Sequence, residues 1–325
     1  MSPLSTYYSR PLVNQDFSKT DPKDALLIAT NARNGSYSEY RSYAPTIARM
    51  HRLSIAYEKL TKDRQKALGR LRSFMQEVFP EYSLCVGVDT LTSLYLLERC
   101  FLPAHFQRLP VHGEDLARVS RGNHGIDTID ALKGHAAQSV GSHVEDEEDV
   151  LRVILDVWIA QIRQIDTHLK KVGSALIELA RKTEHFETLT SIKGISSLFA
   201  ARFIAECRGL HCYEHYKQIE KYAGANVRLM DSGKYAGTRK ISKIGNKRLL
   251  RLIYLMTTQV VKFVPEIQIK FATRQRRKKC YRENIIACTP WLLKLITALV
   301  RERRPYVVRQ EALEKLAHME ARHVA

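Results

Sequence analysis

Two groups of residues have types and spacings suited to chemistry on a phosphate ester. The first surrounds Ser232, which precedes Gly233 in a glycine-rich basic stretch, Gly224–Gly245. Arg228, Lys234, Arg239, Lys240, Lys243, Lys247, Arg248 and Arg251 flank it. A serine hydroxyl becomes a nucleophile only when its proton is removed. Cations around it can hold a phosphate and offset transition-state charge. Composition alone favours a plainer reading, a nucleic-acid-binding basic loop in which Ser232 is a turn residue, because Ser-Gly pairs are common in turns. The sequence does not show which group activates Ser232: no histidine is near it in sequence, though His211 and His215 could approach in space.

The second group is Asp21 and Asp24. Three residues apart, they share a helix face. Two carboxylates on one face can hold Mg²⁺ beside a phosphate. They are equally explained as a cap and a first-turn acid, since Pro22 marks a helix start. A third feature is Leu189–Glu206, which reads as helix, tight turn, helix, with Gly194 between Ile192 and Ile195. This is the pattern of a helix-hairpin-helix, where Lys193, Gly194 and the backbone N–H groups that follow can contact a phosphate without reading sequence. A plain helix corner has the same pattern. Val86–Asp89 imitates a strand ending in an acid; no strand pattern supports it, and Asp89, Asp127 and Asp130 are expected as cap or loop residues.

The charge distribution points the same way. The net charge is +18. Residues 1–189 balance 24 Lys and Arg against 24 Asp and Glu, whereas residues 190–325 hold 28 against 10. A polyanion is the expected partner of the second half, and nucleic acid the favoured one. An anionic membrane is not favoured: there is no strongly amphipathic basic helix, and no apolar run is expected to approach the roughly 20 residues of a span. The polar N-terminus does not resemble a secretory signal, so a cytoplasmic location is expected. The six cysteines form no CxxC pair and are expected as buried thiols.

Helices must position these residues. Residues 1–20 read as irregular, followed by a helix from Thr20–Pro22 to about Asn34. After Pro45 comes a heptad seam of Met50, Leu53, Tyr57, Leu60, Ala67, Leu71, Phe74 and Val78, with Arg64 in one core slot. Residues 81–143 read as short helices, with Gly122–Gly125 and Gly134–Gly141 as loops. An acidic start, Glu145–Asp149, opens a second seam of Leu151, Leu155, Trp158, Ile162, Ile165, Leu169, Val172, Leu176 and Leu179. The two seams can pair within the chain or with another protomer. A basic apolar helix, Asn246–Val264, and a basic tail with clusters at Arg274–Lys279 and Arg301–Arg304 follow.

Taken together, these stretches resemble insertion-sequence transposases that join an N-terminal RuvC-like DEDD domain to a C-terminal serine-bearing transposase domain, also called bridge-RNA-guided recombinases. Lys19–Ala25 resembles the family's last two acidic positions, and Phe79–Glu81 the end of its first coiled-coil helix. Ile192–Glu206 and Ser232–Arg251 resemble its C-terminal domain. The resemblance implies a mainly α fold: a remnant of a RuvC-like α/β domain (1–44), a coiled-coil region (45–187), a serine-bearing domain with a helix-hairpin-helix (188–273) and a basic helical tail (274–325). It implies Ser232 as the nucleophile that links covalently to DNA, and Asp21 and Asp24 as half of a Mg²⁺ site. It also implies DNA and a structured guide RNA as partners, and a dimer or tetramer.

In the family, a strand carries a first Asp and a Glu follows before the last acidic pair. The twenty residues before Asp21 hold neither, and Asp16 is in the wrong context. An N-terminally truncated member that folds its C-terminal domain without transposing is therefore expected. Two other readings compete with an enzyme: a non-catalytic nucleic-acid-binding protein, and a coiled-coil oligomerisation protein whose basic half is incidental.

Overall fold

The computed structural model describes residues 3–14, 19–37, 43–141, 147–228, 240–275 and 280–324. Its regular structure is helical apart from two strands of two residues each. The chain divides into two compact units, Met1–Ala44 and Pro45–Ala325.

The first unit holds α1 (Pro3–Asn14) and α2 (Asp21–Arg33). The irregular start expected from the sequence is instead helical. α1 opens on Pro3 and contains Pro11 in its interior. Thr20 is the residue before α2, and Pro22 sits in its first turn, where a missing N–H costs nothing. Asp21 and Asp24 both lie in that turn, and Asn34 ends the helix. Among the described residues this unit contains no strand.

The second unit is organised by two helices of 34 residues, α3 (Pro45–Val78) and, after five short helices, α9 (Glu148–Arg181). They run side by side in opposite directions. Met50 shares a cluster with Leu176 and Ala180, Arg64 bonds Asp166 through Nε and Nη2, and Phe74 meets Trp158 edge-on at 5.6 Å. The two heptad seams thus pair within one chain. Arg64 fits its core slot because Asp166 neutralises it from the facing helix.

The short helices are α4 (Tyr82–Cys85), α5 (Leu91–Leu97), α6 (Pro103–Gln107), α7 (Gly113–Ser120) and α8 (Ile126–Ala137). They bury Phe79, Tyr82, Phe101 and Phe106 against one end of the helix pair. Each such fully buried side chain contributes about 1.5–3 kcal/mol. Asp89 lies in a turn before α5, whose cap is Thr90, as a loop acid should. Asp127 is a first-turn acid of α8, but Asp130 and Gly134 lie inside that helix and not in loops.

The other end of the pair supports a second core. It comprises α10 (Phe186–Thr190), α11 (Ser197–Cys207), α12 (Tyr216–Ala223), the hairpin strands β1 (Val227–Arg228) and β2 (Lys240–Ile241), α13 (Lys247–Val260), α14 (Pro265–Gln275) and α15 (Tyr281–Glu302), followed by α16 (Gln310–Val324). β1 and β2 are antiparallel, with Val227 opposite Ile241. Ile285, Cys288, Leu292, Leu293, Ile296 and Leu299 of α15 belong to the same core as α11 and α13. By length and composition alone α15 would reach across a bilayer, against the sequence expectation; one of its faces is packed into this core. Cys100, Cys207 and Cys288 are buried as expected, Cys85 is half-buried, and Cys212 and Cys280 are exposed.

Candidate nucleic-acid interface

Gly194 sits in the turn between α10 and α11 with φ +100°. A Cβ there would lie 3.0 Å from Val260 Cα and 3.1 Å from the Gln259 carbonyl oxygen. The glycine is needed because the turn presses on the end of α13, a requirement independent of any phosphate. α10 is five residues long and ends at Thr190, whereas the expected pattern began its first helix at Leu189. At the start of α11, Ser196 accepts from the N–H of Phe199, which already satisfies one of its end donors. Lys193 is exposed, with its Nζ 5.4 Å from the Phe263 ring centre.

The basic loop is closed at its base. Ser242 N–H donates to Asn226 O, Lys243 N–H to Gly224 O and Asn246 N–H to Tyr222 O, each at 2.8 Å. Gly245, at φ +156°, has no room for a Cβ, which would lie 2.5 Å from Tyr222 O. Ser232, Lys234 and Arg239 lie outside the described residues, and Arg228 is described only in its backbone. Lys240, Lys243 and Lys247 are exposed and form no ion pair among the described residues. His215 is spent on capping α12: its Nδ1 accepts from the Lys217 N–H at 3.2 Å.

Arg248 and Arg251 turn inward. Glu206 of α11 is fully buried, and burial alone would raise its pKa. Hydrogen bonds from Asn246 and Ser54, with the charge and hydrogen bond of Arg248, outweigh that and hold it below the usual carboxylate range. The distances are 2.9 Å from Asn246 Nδ2, 2.8 Å from Ser54 Oγ and 3.2 Å from Arg248 Nε. His51 Nε2 lies 3.3 Å from Arg248 Nη2. A guanidinium only donates, so this nitrogen accepts and the imidazole is neutral. One turn along α3, Glu58 accepts from Arg202 at 2.8 Å and from Arg251 at 3.1 Å. Two carboxylates thus tie α3, α11 and α13 together, and the two arginines expected to face nucleic acid are largely committed to them.

Sequence reasoning gave Glu206, Glu58, Ser54 and His51 no role. The signal was a lone acid at the end of an apolar helix run, Leu198–Glu206, which a buried partner must neutralise. Asn246 was read as a helix start, and it does cap α13: its Oδ1 accepts from the N–H groups of Arg248 and Leu249 at 3.1 and 3.2 Å.

The acidic pair of the first unit fares differently. Both carboxylate oxygens of Asp24 accept from Arg10, at 3.1 Å each, while Asp21 is exposed. No group of three His, Cys, Asp or Glu able to hold a metal exists among the described residues. As arranged, these residues do not fit a Mg²⁺ site, which needs a largely oxygen shell free of a competing cation.

A family model described as "Transposase IS116/IS110/IS902 family" matches residues 186–272. A second, described as "Transposase" and of the IS110 DEDD type, matches residues 2–80. The chain is 22% identical over 299 residues to an uncharacterized 44.8 kDa protein of insertion element IS116 from Streptomyces clavuligerus, covering 88% of this chain and 72% of that protein. It is also 22% identical over 297 residues to an uncharacterized 42 kDa protein of insertion element IS900 from Mycobacterium paratuberculosis, covering 89% and 73%.

Proposed function

We propose that the chain, whose residues 186–272 and 2–80 are similar to transposases of the IS116/IS110/IS902 type, cuts and rejoins DNA with Ser232 as its nucleophile. The supporting observation is the trio of exposed lysines, Lys240, Lys243 and Lys247, which form no ion pair among the described residues and stand at the closed base of the segment that carries Ser232. In the first step Ser232 Oγ attacks a phosphodiester phosphorus. A serine–phosphate ester forms, one deoxyribose hydroxyl leaves, and the serine proton passes to the leaving oxygen. In the second step a deoxyribose hydroxyl of another strand attacks that ester. A phosphodiester is restored and the serine is freed. Cations beside the loop hold the phosphate and offset the charge that develops on it.

Lys193 and the turn at Gly194 supply a sequence-independent backbone contact in this reading, with Arg228, Lys234 and Arg239 completing the basic surface. Arg248 and Arg251 act mainly as struts. A structured guide RNA and a homo-oligomer are proposed partners, by resemblance to the family. Magnesium at Asp21 and Asp24 remains a proposal that requires ligands beyond those described and release of Asp24 by Arg10; no step above depends on it. Ser232→Ala tests the reading: strand exchange should vanish while salt-sensitive DNA binding stays within about twofold. Because Arg10 holds Asp24, a second reading is DNA binding without strand transfer. Equal behaviour of the variant and the native chain would select it.

A further inference from the structure

Trp291 of α15 is 43% exposed, although tryptophan is usually among the more buried residues. The other tryptophan, Trp158, is packed on Phe74 in the opposite core. Two ammonium groups from different helices converge on the Trp291 ring. Lys270 Nζ of α14 lies 4.2 Å from its centre and Lys294 Nζ of α15 lies 5.7 Å from it. Neither lysine forms an ion pair among the described residues. Tyr281 on the same helix is 54% exposed and meets Phe271 edge-on at 5.6 Å.

We infer that this face of α14 and α15 binds single-stranded DNA, with an unpaired base stacked on Trp291 and its flanking phosphates on Lys270 and Lys294. An apolar protein partner would cover the indole but strand two ammonium groups out of water. A polyanion neutralises them, and the surrounding half of the chain is strongly basic. Duplex DNA keeps its bases stacked inside, so only an unpaired base offers the indole a full ring face. Aromatic side chains beside cations are the general device for holding single strands. As a base settles on the ring, the lysines swing onto the adjoining phosphates. Tyr281 stands about 15 Å away along the helix axis, so a strand on Trp291 can extend towards it. DNA is the strand expected here because this family acts on DNA, whose cutting frees strand ends. The inference does not rest on Ser232, since binding and not joining is measured.

The test uses the full chain and a 20-nucleotide single strand, with its duplex and an RNA of the same sequence as controls. Tryptophan emission of the native chain should be quenched by the single strand and not by the duplex, because Trp158 is out of reach. Trp291→Ala should weaken single-strand binding about tenfold and leave duplex binding within about twofold. Lys270→Gln with Lys294→Gln should lower the salt dependence of single-strand binding by nearly two ions. Unquenched emission, equal loss for single strand and duplex in Trp291→Ala, or RNA bound ten times tighter than the DNA would each overturn the inference. The emission measurement needs no variant and decides the matter even where a substitution unfolds the chain.

Discussion

Asn246 uses both ends of one amide: its Nδ2 donates to the buried Glu206 at 2.9 Å, while its Oδ1 caps α13. The residue that starts the basic helix is thereby fixed to α11, and through Ser54 to α3.

That link can be inverted. Glu206→Gln removes the charge that Arg248 and Asn246 face, and should cost about 2 kcal/mol. Asn246→Asp places two carboxylates together and should cost at least as much. The double variant restores one acid and one amide, and Asp caps as well as Asn. Urea unfolding should show it recovering more than half the loss; additive losses would contradict the geometry.

Gly194→Ala should destabilise the chain by about 2–3 kcal/mol, because an L-residue is strained at φ +100° and the methyl meets the end of α13. Denaturant unfolding measures this. A near-neutral result would mean the turn does not press on Val260.

Acid should weaken the second unit before its carboxylates titrate. Burial lowers the His51 pKa; Glu206 opposes this, and Arg208 and Arg248 reinforce it. The unfolded chain therefore takes up the proton first. Stability is full above the ordinary histidine value of about 6.5 and falls as pH drops through it towards the lower folded value. His51→Gln, whose side-chain oxygen can still accept from Arg248, should lose less stability than the native chain between pH 7.5 and 5.5. An equal loss would assign the acid sensitivity elsewhere.

Exposed and committed cations should separate in DNA binding. Replacing Lys240, Lys243 and Lys247 with Gln should reduce the salt slope of duplex binding by nearly three ions without changing stability. Arg251→Gln should instead reduce stability and barely move the slope, since Arg251 pairs with Glu58. Filter binding at several salt concentrations distinguishes them.

The long helices were legible because heptad spacing survives any tertiary context: Leu155, Ile162, Ile165 and Leu176 are all buried as their positions require. Asn246 at the head of α13 was legible for a similar local reason. Helix α1 was not legible: Pro3 opens it, where a missing N–H costs nothing, but Pro11 lies inside it, where sequence rules expect a break. The inward turn of Arg248 and Arg251 was not legible, since it depends on Glu206 and Glu58 lying 42 and 193 residues away in sequence. Composition counts a basic residue identically whether it faces solvent or a buried acid. The same limit hid the Arg10 contact that occupies Asp24.

The central claim is that Ser232 forms a covalent link to DNA. It is tested most directly by denaturing a reaction of the full chain with its DNA, digesting the trapped adduct and locating the nucleotide-bearing peptide by mass spectrometry. The account predicts a nucleotide esterified to Ser232, absent from Ser232→Ala. A nucleotide attached to another residue, or efficient strand joining by Ser232→Ala, would contradict it.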